Sequence, residues 1–245
     1  MEIIKKYGLL LGLATVIVGA FSFFHHMYQR DITAMEDFVT TYEEFDKTIS
    51  IFSKPVFASN LEGTAAVDQF NTIYKQIVAS AQETRPHVDR LALAKEGIAL
   101  NNYLLDELDK TDDLESKSMD VLAGLKTKST LRISSLIKND PQLMRTALEV
   151  ADLSAKELDN LIALKRTIKH KRELTKGLLQ NIIDDDGGLD GFIKILNQKE
   201  YQARTLYQNT DLERLSKYSN DLTNKRITVY TNFQRLEPTP EASHK

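Results

Sequence analysis

Residues 35–52 read MEDFVTTYEEFDKTISIF, and their apolar side chains recur at steps of three and four residues. We call these side chains the aromatic seam: Met35, Phe38, Tyr42, Phe45, Ile49 and Phe52. That spacing places them on one face of an α-helix and is typical of a helix that packs lengthwise against another. The dipeptide Lys54-Pro55 predicts the end of this helix, because proline lacks an N–H donor and restricts the residue before it.

The helical period continues through the rest of the chain, and no segment shows the sustained alternation that is typical of β-strands. The predicted helices after the aromatic seam cover about residues 64–109, 112–138, 140–183 and 192–236. Since the connections between them are short, sequential neighbours should pack antiparallel. The sequence therefore predicts an all-α protein, an elongated antiparallel bundle of about five long body helices.

Several residues predict where these helices begin and end. Thr64 can cap the second body helix, and Pro86 should kink or split it. A capping-box-like pair, Asp112 with Glu115, starts the third helix. For the fourth, Asp140 is the predicted cap and Pro141 the first helical residue. The sharpest break is DDDGGLDG at residues 184–191, and residues 237–245 form a polar tail.

An uncharged apolar segment, YGLLLGLATVIVGAFSFF, covers residues 7–24. As a helix it is about 27 Å long, which is close to the hydrocarbon thickness of a bilayer. Lys5 and Lys6 precede it, so the positive-inside rule predicts a cytoplasmic N-terminus and an extracytoplasmic body, periplasmic if the cell is bacterial. The predicted domains are a cytoplasmic segment 1–6, a transmembrane signal-anchor 7–27 and a helical body 28–236.

A cleaved signal peptide is the competing interpretation of the same segment. Val18 and Ala20 fit the small-residue rule for cleavage after Ala20. The apolar run continues through Phe21, Phe23 and Phe24, and cleavage would expose these side chains at the new terminus. The length of the run favours a retained anchor, and both interpretations export the body.

Small residues line one face of the predicted membrane helix. They follow spacings of four, three and four residues: Gly8, Gly12, Thr15 and Gly19. Such faces allow two helices to approach closely, which makes this a candidate dimer face for a homodimer. Glycine is also common in membrane helices that do not pair, so both interpretations stay open.

Composition and motifs exclude several functions. The chain has no cysteine, hence no disulfide and no lipoprotein anchor, and its net charge of -3 does not favour nucleic acid as a partner. None of the five histidines stands in a recognised metal-ligand spacing, and no nucleotide-binding or hydrolase motif is present. The sequence therefore predicts a non-catalytic protein without a cofactor.

The acidic break also resembles part of a calcium loop. With Gly191 at the sixth position of an EF-hand loop, Asp186 and Asp190 occupy ligand positions. Gly188 and Asn197 then stand where two further ligands are required, so the motif fails. The residues are better explained as a helix stop followed by Asp caps for the next helix.

Two groups of residues are candidates for interaction. Six aromatic residues gather near the first body turn and would suit an apolar ligand or, more commonly, a plain core: Tyr42, Phe45, Phe52, Phe57, Phe70 and Tyr74. Four cations share one helix face and form a candidate basic ridge: Lys165, Lys169, Arg172 and Lys176. The ridge suits an acidic partner or anionic lipid, unless it is solvated or neutralised by the acidic residues 106–115.

These observations favour a membrane-anchored envelope protein that meets a protein partner, or a second copy, through helix faces. A ligand-sensing or ligand-binding bundle is the alternative. An exposed apolar patch over a closed core would favour the first function. A roomy internal cavity would favour the second.

Overall fold

The computed structural model describes residues 2–60, 64–82 and 89–237, with side chains from residue 15 onward except in residues 199–210. The described residues form helices and connections, with no strand, which confirms the all-α prediction. The helices are α1 (Glu2–Asn60), α2 (Ala65–Gln82), α3 (Arg90–Asp109), α4 (Asp112–Lys128), α5 (Asp140–Asp184), α6 (Asp190–Leu196) and α7 (Lys199–Leu236). Within the part of the chain so described, no helix is long and apolar enough to span a bilayer.

Helix α1 continues without a break from the apolar N-terminal segment into the body. All six residues of the aromatic seam are buried, as their spacing predicts. The predicted end at Lys54-Pro55 is wrong, because Pro55 lies inside the helix, which continues to Asn60. Phe52 and Val56 flank the proline and are completely buried, so packing holds this turn helical despite the missing N–H donor.

The chain divides into two compact units, and α1, α4, α5 and α7 contribute to both. Unit 1 comprises residues 1–45, 121–153 and 225–245. In its core Tyr42 stacks on Tyr230 with ring centroids 3.6 Å apart, and the tilted rings of Phe38 and Phe233 have centroids 4.9 Å apart. Residue numbers rise along α1 as they fall along α7, so these two helices are antiparallel in this unit.

The connection between α4 and α5 lies in unit 1 and differs from the prediction. Helix α4 ends at Lys128, whereas the apolar pattern predicted a helix through about residue 138. The hydroxyl groups of Ser129 and Thr130 donate to carbonyl groups three residues earlier, and such bonds compete with helix continuation. Asn139 is left-handed, with φ 72°, and α5 begins at Asp140. Asp140 is therefore the first helical residue and not the preceding cap, and Pro141 follows it in the first turn, one position later in the helix than predicted.

Unit 2 comprises residues 46–120 and 154–224. One core cluster of this unit consists of buried side chains from α2, α3, α5 and α6: Phe70, Ile73, Ile77, Ala94, Leu178, Leu179, Ile182 and Phe192. Helices α2 and α3 pack antiparallel, with Gln69 bonded to Glu96 and Ser80 to Arg90. The predicted split of this helix is confirmed, although Pro86 itself lies outside the described residues. Thr64 caps α2 as expected, since its hydroxyl accepts from the N–H of Val67 at 3.3 Å.

The acidic break at residues 184–191 ends α5 as predicted. The N–H groups of Asp186 and Gly187 return to the carbonyl groups of Ile183 and Ile182, which is a Schellman closure. The Asp185 carboxylate then accepts from the N–H of Gly191 at 2.7 Å, near the start of α6. Within the described residues no group of acids or histidines is arranged to hold a metal ion. A second break at Asn197 and Gln198 separates α6 from α7, where a single helix was predicted.

Candidate functional site: a basic cavity in unit 2

The first residue of the candidate basic ridge, Lys165, lies inside unit 2. Its residue is 4% exposed, and its Nζ lies 2.5 Å from the carboxylate of Asp112 and 3.0 Å from that of Glu115. The same Nζ lies 5.6 Å from the ring centroid of Phe52. The hydrogen bond from Lys165 is the largest influence on the pKa of Asp112 and lowers it below its ordinary value. Lys165 therefore joins α5 to the first turn of α4 and is not displayed to solvent.

The remaining ridge residues do not complete an exposed surface. Lys169 is paired with Asp109 at 2.6 Å, and this hydrogen bond raises the pKa of the lysine. Arg172 is buried, and Lys176 is exposed. The acidic residues 106–115 thus neutralise Lys165 and Lys169 within the chain, which was one of the alternatives considered from the sequence. The prediction of a continuous exposed ridge is wrong, because this face of α5 packs against neighbouring helices.

Arg172 extends from α5 to the end of α1. Its Nη2 donates to the carbonyl of Ser59 at 2.6 Å, and Ser59 lies in the last turn of α1. That turn contains no basic residue of its own, so Arg172 supplies the positive charge that the negative end of a helix favours. The guanidinium also lies 5.8 Å from the ring centroid of Phe70. Asn101 fixes the backbone at this point by donating to the carbonyl of Arg172 at 2.8 Å.

A cavity of about 710 Å³ opens beside Arg172 and lies entirely within unit 2. Helices α1, α2, α5 and α7 all contribute to its wall. The apolar part of the wall is Val67, Phe70, Ile168 and Leu212, and all four residues are buried. The uncharged polar part is Ser59, Asn60, Asn71, Thr175, Ser216 and Asn220. A volume of this size is within the range of small-molecule sites in proteins.

The charged residues of the cavity are mostly basic. They are Lys75, Lys171, Arg172 and Lys217, against the single acid Glu213. Burial lowers the pKa of Arg172 to about 10, so this residue stays positively charged at neutral pH. Burial, with a smaller contribution from the neighbouring Arg172, also lowers the pKa of Lys171. The cavity is therefore electropositive, with one cation deep in its wall.

One donor among the residues of this wall is buried without an acceptor in the described part of the chain. Arg172 is only 8% exposed, and its Nε is buried without a hydrogen-bond partner among the residues that the structure describes. A buried N–H of a charged group is costly when it is left unpaired, because it has given up water without a replacement. Arg172 thus brings a buried positive charge to the wall of the cavity.

The sequence identified little of this site. Of the six aromatic candidates only Phe70 lines the cavity, and Tyr42, Phe45 and Phe52 are buried core residues. Arg172 was selected as part of an exposed ridge, which is the wrong environment. The cavity joins residues from 59 to 220, so its members share no local spacing that a sequence pattern would reveal.

The candidate dimer face is only partly described. The surroundings of Gly8 and Gly12 lie outside what the structure describes. Thr15 is exposed, and a Cβ placed on Gly19 would meet no atom within 4 Å. Three histidines are exposed: His25, His26 and His170. The other two, His87 and His244, lie outside the described residues. These residues form no site with the cavity.

Comparisons of this chain with protein-family models, with curated proteins and with solved structures find no match.

Proposed function

We propose that this chain is a membrane-anchored, non-catalytic binding protein whose unit 2 holds a small molecule in the basic cavity. The observation that carries the proposal is Arg172, a buried cation in the wall of a cavity of about 710 Å³. A helical core that binds no ligand is normally packed without a cavity of this size, because protein interiors contain few voids larger than a water molecule. Ligand sites combine an apolar wall with a few polar groups, and this cavity has both.

Membrane attachment is part of the same proposal. It is supported by the apolar run of residues 7–24 and by Lys5 and Lys6 before it, which orient the N-terminus toward the cytoplasm. The side chains of Val16, Ile17, Val18, Phe21, Phe23 and Phe24 are all more than half exposed in the chain taken alone. Exposed apolar side chains in such a run are what a lipid environment would cover. The proposed location is a single-pass membrane protein with an extracytoplasmic body.

A cavity-filling variant tests the binding proposal. Thr175 lines the cavity from α5, so Thr175→Phe should occupy part of the space without removing a charge. Three fluorescent probes, 2-naphthol, 2-naphthamide and 2-naphthoate, are titrated into the full chain in bilayer nanodiscs, with empty nanodiscs as blank. We expect saturable binding of at least one probe to the wild type and its loss in Thr175→Phe. His170→Phe, which adds an aromatic ring at an exposed position of α5 outside the cavity, should bind as the wild type does. Binding of no probe, or equal binding by both variants, would contradict the proposal.

Interaction with a protein partner is the second candidate function, and a second copy of the chain is the partner that the anchor favours. The observation is the open face at Gly19, which continues the small-residue spacing of Gly8, Gly12 and Thr15. Small residues let two membrane helices approach closely. Crosslinking between copies in intact membranes, described in the Discussion, tests this function separately from the cavity.

A further inference from the structure

The chemistry of the cavity wall restricts the class of molecule that fits. Among the described residues of the wall, Arg172 is the only buried cation, while Lys171 is half-buried and Lys75 and Lys217 are exposed. A guanidinium carries five N–H donors in a fixed plane. The carbonyl of Ser59 accepts from Nη2, and Nε is buried without a hydrogen-bond partner in the part of the chain that the structure describes. A ligand with a negative charge would pair with the guanidinium in the cavity wall.

The rest of the wall requires a second property. The same wall as Arg172 contains four buried apolar residues: Val67, Phe70, Ile168 and Leu212. The centroid of the Phe70 ring lies 5.8 Å from the guanidinium. A small hydrated inorganic anion would leave this surface uncovered. A molecule with one anionic end and an apolar body covers the surface and pairs with the charge at the same time.

We infer that the cavity binds a small organic carboxylate, with its carboxylate on Arg172 and its aromatic or aliphatic body against the wall around Phe70. This inference rests on the proposed function, because it names the chemical class of the ligand that the cavity holds. A single carboxylate matches the single buried cation. Lys171 and Lys217 add positive potential that attracts an anion to the cavity.

A matched pair of probes tests the inference. The 2-naphthoate and 2-naphthamide molecules have nearly the same shape and differ in charge. Isothermal titration calorimetry on the full chain in nanodiscs should give an affinity for the carboxylate about tenfold or more above that for the amide, because only the carboxylate brings a negative charge to the guanidinium. Arg172→Gln should remove this preference by weakening carboxylate binding about tenfold more than it weakens amide binding.

Two further variants complete the test. Lys169→Gln removes a cation of the same helix that pairs with Asp109 outside the cavity, and it should keep the full preference for the carboxylate. If circular dichroism shows that Arg172→Gln is unfolded, Lys171→Gln combined with Lys217→Gln removes two other cavity cations instead. That double variant should weaken carboxylate binding at least about threefold, with amide binding unchanged.

The outcomes separate the two proposals. Equal affinity for the carboxylate and the amide in the wild type would overturn the carboxylate inference and leave the binding function in place. An unchanged preference in folded Arg172→Gln would also overturn it, and would restrict Arg172 to holding the end of α1. Binding of neither probe, nor of 2-naphthol, would overturn the binding function itself.

Discussion

The carboxylate of Asp31 is completely buried in unit 1, where it accepts from the backbone N–H of Ser134 at 2.6 Å. Burial by itself raises the pKa of this group, but hydrogen bonding by Ser134 and the adjacent Arg30 guanidinium outweighs it, so the pKa is lowered. Since the folded-state pKa lies below the unfolded one, the ionised group stabilises the fold above the ordinary Asp pKa. This stabilisation is lost as the pH falls through the folded-state pKa.

We predict that Asp31→Asn lowers the free energy of unfolding by about 1–3 kcal/mol at pH 7, the range for disturbing a buried hydrogen-bonded charge. The difference from the wild type should shrink as the pH falls below about 4, because protonation of the carboxyl in the unfolded state then begins to offset the stabilisation. Denaturant unfolding at pH 7 and pH 3 measures both effects. Asp37→Asn, at an exposed position of the same helix, is the control and should change little. A loss of the same size at both pH values would contradict this account of Asp31.

The two ion pairs between α5 and the acidic residues should differ in strength. The side chain of Lys165 is 5% exposed, whereas that of Lys169 is 38% exposed. A double-mutant cycle on Lys169 and Asp109 should give a coupling of about 0.2–1 kcal/mol, as exposed pairs do. The cycle on Lys165 and Glu115, whose side chain is 19% exposed, should give a larger coupling with weaker salt dependence. The reverse order of the two couplings would show that burial does not set the strength of these pairs.

At the scale of elements, Pro55 is the clearest local conflict with the fold. It lies within α1, where proline removes one backbone hydrogen bond and costs on the order of 3 kcal/mol in a helix interior. We predict that Pro55→Ala raises the free energy of unfolding by at least about 1 kcal/mol. The helix already extends on both sides of this position, and alanine fits a helix interior better than proline does. Thermal unfolding of the variant measures this. Destabilisation by Pro55→Ala would indicate that the packing of Phe52 and Val56 requires a proline-induced bend.

The sequence predicts these helices well where apolar residues recur at helical spacing. It predicts them less well where tertiary packing or side-chain hydrogen bonds determine the end of a helix. The aromatic seam is buried at all six positions, because its spacing directly reports the packed face. Pro55 and the residues after Lys128 were misjudged, since local propensity yields to tertiary packing at the first and to side-chain hydrogen bonds at the second. The cavity was missed because Arg172 looks like any helical cation until the end of α1 is placed beside it.

For the whole molecule, the proposed topology makes a prediction that does not depend on the cavity. Alkaline phosphatase, which is active only outside the cytoplasm, should be active when fused after Lys245, because Lys5 and Lys6 hold the N-terminus inside. The same fusion without residues 1–27 is the control and should be inactive. Activity of a cytoplasmic reporter in place of the phosphatase would contradict the orientation. A mature protein beginning at Phe21 would contradict the retained anchor.

The proposed pairing of two chains can be tested cleanly, because the sequence has no cysteine. Gly19→Cys places a single thiol on the small-residue face, and Val18→Cys places one on a different face of the same helix turn. Oxidation in intact membranes should crosslink the first variant into a dimer and the second much less, with the products separated by non-reducing electrophoresis. Equal crosslinking of both variants would show that the copies do not pair through this face.

The cavity of unit 2 is proposed to hold an organic anion against Arg172. An experimental structure of the full chain with 2-naphthoate bound tests this proposal directly. We expect a carboxylate oxygen about 2.7–2.9 Å from a guanidinium nitrogen of Arg172, the distance of a charge-assisted hydrogen bond, with the naphthyl ring against Phe70. A structure in which the probe occupies another site, or in which the carboxylate points away from Arg172, would contradict it.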